Sequence, residues 1–186
     1  MKGALMKRTI PLLATTMTLA VLVFGGVALA LEFTCGSNPC VGTPQNDTIH
    51  GTALNNDINA RAGADFAEGK EGFDTIHGRK GRDELIGDNV IVSENCSDGL
   101  FGEGGADLLE GGCGSNFYHG GSGPDHIDAA FDDPNNATES VFGGPGKDTI
   151  DADDGNQDTI HCDGGTDTVN RDTEDRFPDN DCETQN

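Results

Sequence analysis

The chain has 186 residues, a formal net charge of −22 and a sequence pI near 4.1, with no tryptophan and 28 glycines. So acidic a surface repels nucleic acid phosphates and anionic lipid heads, which excludes nucleic-acid binding and makes cations the natural partners. The length allows one domain.

In chain order, Lys2, Lys7 and Arg8 form a basic opening, followed by an apolar segment from Ile10 to Leu31 that contains Ala28-Leu29-Ala30. A basic start, an apolar stretch and a small-x-small cleavage pattern read as a secretory signal peptide over residues 1–30. The expectation is a secreted, extracellular protein with no membrane insertion once the leader is removed. Residues 31–41 are an entry segment, expected as an N-terminal cap tied by Cys35 and Cys40.

From Gly42 a nine-residue unit begins, and Gly69 to Ile86 shows it twice in succession: glycine at positions 1 and 4, Asp at 6, an aliphatic residue at 8. This apolar spacing matches neither 3.6 nor a sustained period of 2, so the unit predicts tight turns and very short strands, not a helix. Thirteen units follow one another through residue 170. Unit 6, from Gly87, carries extra residues around Val90, Ile91 and Val92, read as a loop. Unit 10 is stretched through Asp132 to Asn136, and unit 12 has one residue too many. Position 8 is apolar from Ile49 and Ile58 through Tyr118 to Ile160 and Val169, a row that reads as the core. Residues 171–186 show no repeat and are expected as a C-terminal cap over the open end of the coil.

Six cysteines in an exported chain read as disulfides. Spacing suggests Cys35 with Cys40, Cys96 with Cys113 and Cys162 with Cys182, although spacing alone leaves other connectivities open. Zinc is disfavoured because no paired C-x-x-C occurs.

These units resemble the nonapeptide repeats of hemolysin-type (RTX) calcium-binding proteins, G-G-x-G-x-D-x-U-x, over residues 42–170. The resemblance implies an all-β parallel β-roll, a β-solenoid in which six residues form a calcium-binding turn and three a strand, with two repeats per coil. The residue chemistry agrees: glycine lets backbone carbonyls turn inward, and Asp offers the hard anionic oxygen that Ca²⁺ takes into its shell. Several Ca²⁺ ions are therefore expected as cofactors of a monomer.

Two units per coil stack alternate units on the same side. Position 6 of the odd units then gives an unbroken column of Asp47, Asp65, Asp83, Asp107, Asp125, Asp148 and Asp167. The even units give Asn56, Asp74, Asp98, Asn116, Glu139 and Asp158, and all three insertions fall there. The expectation is one continuous calcium edge on the odd side, with Asp74, Asp98 and Asp158 as metal ligands of a weaker even side.

Enzyme chemistry finds no support, and the chain is expected not to be an enzyme. His50, His77, His119, His126 and His161 read as too scattered for a metal cluster, His-Glu-x-x-His is absent, and no serine lies in G-x-S-x-G. A different class is a calcium-dependent surface adhesion or polysaccharide-binding module, in which calcium bridges the acidic face to an anionic cell-surface polysaccharide. A threonine array for ice begins at Thr43 and Thr52 but stops at Arg61, Lys70 and Arg79.

Overall fold

A computed structural model describes residues 31–36, 38–88, 96–130, 137–178, 182 and 184–185. The expected leader, and the loops expected around Val90–Val92 and Asp132–Asn136, lie outside the described residues.

Threonine, isoleucine, valine and phenylalanine at positions 7 to 9 favour extended backbone, and the glycine-rich positions before them turn the chain. Each unit therefore contributes a strand and then reverses, and successive strands alternate between two parallel sheets. One sheet orders Leu31–Thr34, Asp47–Thr52, Phe66–Lys70, Glu84–Ile86, Leu108–Glu110, His126–Asp128, Thr149–Ala152, Thr168–Arg171 and Thr184–Gln185. The other orders Cys40–Val41, Asp57–Asn59, Thr75–Gly81, Gly99–Gly105, Phe117–Ser122, Ser140–Phe142 and Thr159–His161. From Asp47 to Arg171 the first holds strands of the odd units and the second those of the even units. We call them the odd and even sheets. Among the described residues there is no helix. The fold is the parallel β-roll.

Register is set by position 8. Ile49, Ala67, Leu85, Leu109, Ile127, Ile150 and Val169 pair in sequence along the odd sheet. Ile58, Ile76, Leu100, Tyr118, Val141 and Ile160 do so along the even sheet. All thirteen side chains are fully buried. A one-residue slip would turn this row outward, which fixes the register across the insertions: Ile76 still meets Leu100, and Leu85 still meets Leu109.

Several strands exceed three residues because turn positions continue the ladder. Thr75–Gly81 and Gly99–Gly105 pair through Arg79↔Glu103 and Gly81↔Gly105. At position 4 of unit 5 only glycine fits: Gly81 has φ 137°, and a Cβ there would overlap the carbonyl of Gly63 on the preceding coil.

The entry segment supplies the first rungs of the roll, Leu31↔Asp47 and Cys40↔Ile58. Disulfides join Cys35 to Cys40, Cys96 to Cys113 and Cys162 to Cys182, with Cα–Cα separations of 5.3, 5.5 and 5.3 Å. At the far end Phe177 packs against the core beneath the Arg171 guanidinium, 4.8 Å from its ring centroid. Residues 172–176 add a further rung to the even sheet through the Thr159↔Arg176 bridge, so the repeat pattern outlasts residue 170.

Candidate metal centres at the turn edges

Every position-6 side chain stands where a turn enters its strand, and each is 8% exposed or less. One carboxylate oxygen is committed to the backbone. The N–H of Asp65 donates to Oδ1 of Asp83 at 2.9 Å, Asp83 to Asp107 at 2.8 Å, Asp107 to Asp125 at 2.9 Å, Asp125 to Asp148 and Asp148 to Asp167 at 2.8 Å. The even edge repeats the pattern from Asn56 to Asp74, Asp74 to Asp98, Asp98 to Asn116, Glu139 to Asp158 and Asp158 to Asp175. Each rung thereby fixes the carboxylate of the next.

The second oxygen has no such partner. Oδ2 of Asp65, Asp74, Asp83, Asp98, Asp107, Asp125, Asp148 and Asp158 is buried without a hydrogen-bond donor. Leaving an ionised oxygen buried and unpaired is costly, so each of these atoms asks for a cation or a proton. Glycine at position 1 makes the space: a Cβ on Gly102 would lie 2.6 Å from Oδ2 of Asp107, and one on Gly120 2.7 Å from Oδ2 of Asp125.

Unit 8 supplies a neutral comparison. Asn116 accepts the Asp98 N–H on Oδ1 at 2.8 Å, which orients its amide nitrogen into the turn. Nδ2 then donates to the carbonyls of Gly112, Cys113 and Gly114 at 3.0, 3.3 and 3.1 Å. Turn positions 2, 3 and 4 thus converge their carbonyls on the position-6 side chain. Where that side chain is Asp, the same turn sets acceptors against an acceptor, and a hard cation with oxygen ligands fits between them.

Desolvation raises these carboxyls. Burial lifts Asp65, Asp74, Asp83 and Asp148 to about 6, Asp125 to about 7 and Asp98 to about 8, against backbone hydrogen bonds that lower them. Neighbouring acids push Asp65, Asp83, Asp98, Asp125 and Asp148 further up.

The profile of the RTX calcium-binding nonapeptide repeat matches the chain in four copies, at residues 41–72, 59–91, 97–129 and 135–169. The chain belongs to the RTX calcium-binding nonapeptide repeat family. No curated protein matches it. As an RTX repeat protein it binds several Ca²⁺ ions, and the turns described above have the donor chemistry to hold them.

Of the position-6 residues, Asp47, Asp65, Asp83, Asp107, Asp125, Asp148 and Asp167 line up on one edge of this RTX roll, and Asp74, Asp98 and Asp158 on the other. Asp47 differs at its open end: its Oδ2 already accepts the Thr43 N–H at 2.5 Å and the Thr43 hydroxyl at 3.0 Å. Three acids escaped the repeat pattern. Asp175 extends the even column by one rung, because the divergent stretch Asp172 to Arg176 hides the unit. Asp88, which burial raises to about 7, sits beside the Cys96–Cys113 bridge, its Oδ2 3.7 Å from Sγ of Cys113. Asp154 enters through the extra residue of unit 12. An acid in a lengthened turn was the available signal for it.

Proposed function

We propose that this protein is a secreted, non-catalytic calcium-binding roll whose folding is completed by the ions it takes up along its turn edges. Asp47, Asp65, Asp83, Asp107, Asp125, Asp148 and Asp167 would hold up to six inter-rung ions on the odd edge. Asp74, Asp98 and Asp158 would serve a more broken even edge. The basic and apolar composition of residues 1–30 supports export.

The observation that carries the reading is the row of buried Oδ2 atoms on Asp65, Asp83, Asp107, Asp125 and Asp148, none with a donor. None of the described ion pairs reaches these five residues. Stacked about 4.8 Å apart along a parallel sheet, neighbouring charges repel by about 1 kcal/mol in water and roughly 3 to 4 kcal/mol at an effective dielectric near 20. Calcium converts that repulsion into attraction and binds only where the turns have formed, so it stabilises the folded state by mass action.

Calorimetric titration of the full chain with CaCl₂ tests this. Several ions should bind with affinities between about 10⁻⁶ and 10⁻³ M. A titration without binding heat at any temperature would refute it.

A further inference from the structure

Positive charge is unevenly placed in this acidic molecule. Eight lysines and arginines follow residue 30, and five of them fall between Arg61 and Arg82. Along the odd edge, Arg61, Arg79 and Lys80 line an open groove of about 840 Å³ together with Asn59, Glu103 and Ser122. The groove crosses successive rungs: Ala62 bridges to Lys80, Arg79 pairs with Glu103, and Glu103 with Gly121. It therefore runs along the axis of the roll, a shape suited to an extended chain.

Arg61 and Lys80 are exposed, and none of the described ion pairs reaches them. Arg79 is steadied by Glu103, whose Oε1 lies 2.9 Å from Arg79 Nη1 and 3.0 Å from His77 Nδ1. The backbone marks the same residues. Arg61, Arg79 and Glu103 are left-handed, at φ 82°, 84° and 70°, in a column where Gly121 and Gly144 serve later rungs. The turn itself favours glycine there, so side chains kept against that preference point to a use outside folding.

Beside the groove lies the outer face of the even sheet. From Asn59, register neighbours continue through His77, Phe101, His119, Phe142 and His161. Phe117 stands next to this column, 37% exposed, its ring centroid 5.5 and 5.4 Å from those of Phe101 and Phe142. The basic groove thus opens onto a strip of phenyl and imidazole rings.

We propose that this surface binds a linear, carboxylate-bearing polysaccharide, with Arg61, Arg79 and Lys80 taking its carboxylates directly and the ring strip lying against its sugars. The proposal goes beyond calcium binding and uses only the folded roll. Guanidinium groups match a carboxylate in geometry as well as in charge. A sugar polymer also brings hydroxyls, for Ser122 in the groove, and apolar C–H surface, for the phenylalanines. Charge decides against denser polyanions. At −22 overall, the chain repels a nucleic acid, or a second copy of itself, more strongly than a polymer with sparse carboxylates.

Isothermal titration calorimetry of the full-length protein in saturating calcium, with a hyaluronan hexasaccharide as probe, tests this. The wild type should bind, and less tightly as salt is raised. Arg61→Gly and Lys80→Gln should each lower the affinity about tenfold, whereas Lys147→Gln, at an exposed cation outside the groove, should leave it unchanged. The carboxyl-reduced hexasaccharide should lose most of the binding. Arg61→Gly relieves backbone strain, so that variant keeps the roll, and circular dichroism in calcium verifies the fold of each. No binding by folded wild type would overturn the groove while leaving calcium binding intact. Equal affinities for wild type, Arg61→Gly and Lys80→Gln would overturn it too, leaving calcium as the bridge to the carboxylates. A poly-glutamate peptide bound as tightly, with the same dependence on Arg61 and Lys80, would replace the glycan by an acidic peptide.

Discussion

Asn116 does with an amide what a bound cation would do for its aspartate counterparts. Its Nδ2 holds three turn carbonyls, so the turn of unit 8 is satisfied without metal. Asn116→Asp replaces that donor with a charged acceptor. The expected outcome is a loss of about 1 to 3 kcal/mol in metal-free stability, regained in saturating calcium together with one more bound ion. Denaturant unfolding with and without calcium measures the first effect, and calorimetric stoichiometry the second. Position 6 was legible from the sequence because the unit repeats there. Asp154 was not, since a side chain from the middle of a turn is ordinarily outward and only the added residue brings it in.

At the level of the turn, among the described residues position 2 is left-handed in eight units, five of which place non-glycine residues there: Arg61 at φ 82°, Lys70 at 78°, Arg79 at 84°, Glu103 at 70° and Asp163 at 63°. Later units use Gly112, Gly121 and Gly144. An L-residue in this region costs about 1 to 2 kcal/mol, partly offset by the larger unfolded-state entropy of glycine. Arg61→Gly should therefore stabilise the calcium-loaded roll by about 0.5 to 1 kcal/mol in chemical denaturation. Arg79→Gly should gain less, because Arg79 Nη1 lies 2.9 Å from a Glu103 carboxylate that also contacts His77 at 3.0 Å. The strands show a similar limit of sequence reading. Three-residue strands were expected, yet backbone pairing runs on through turn positions, since stacking of identical turns satisfies their N–H groups. The histidines gain a context that spacing hid: position 9 of the even units interleaves His77, His119 and His161 with Phe101 and Phe142 on one outer face. His77 stacks on Phe101 at 4.8 Å and Phe142 on His161 at 4.5 Å, and the histidines alternate with phenylalanines from rung to rung.

For the molecule as a whole, the fold was readable because one period fixes both the core row and the acidic edge. Its ends were less so: Asp172 to Arg176 adds a rung where the sequence pattern has faded. Burial raises many edge carboxyls together, and this sets a pH dependence. The unfolded groups titrate near 3.8 and the folded ones at about 6 to 8, so between those values the folded state binds more protons. Stability of the metal-free chain is then fully present below the unfolded value and lost as pH rises toward 8. Metal-free protein should show more β structure at pH 5 than at pH 8, and calcium affinity should rise over the same interval as ions displace those protons. The most direct test of calcium-completed folding is the far-UV circular dichroism of the full chain at pH 8, first in EDTA and then in excess calcium. Chelator should leave a largely unstructured spectrum, and a β spectrum should appear once calcium is restored. A β spectrum unchanged by EDTA would contradict it.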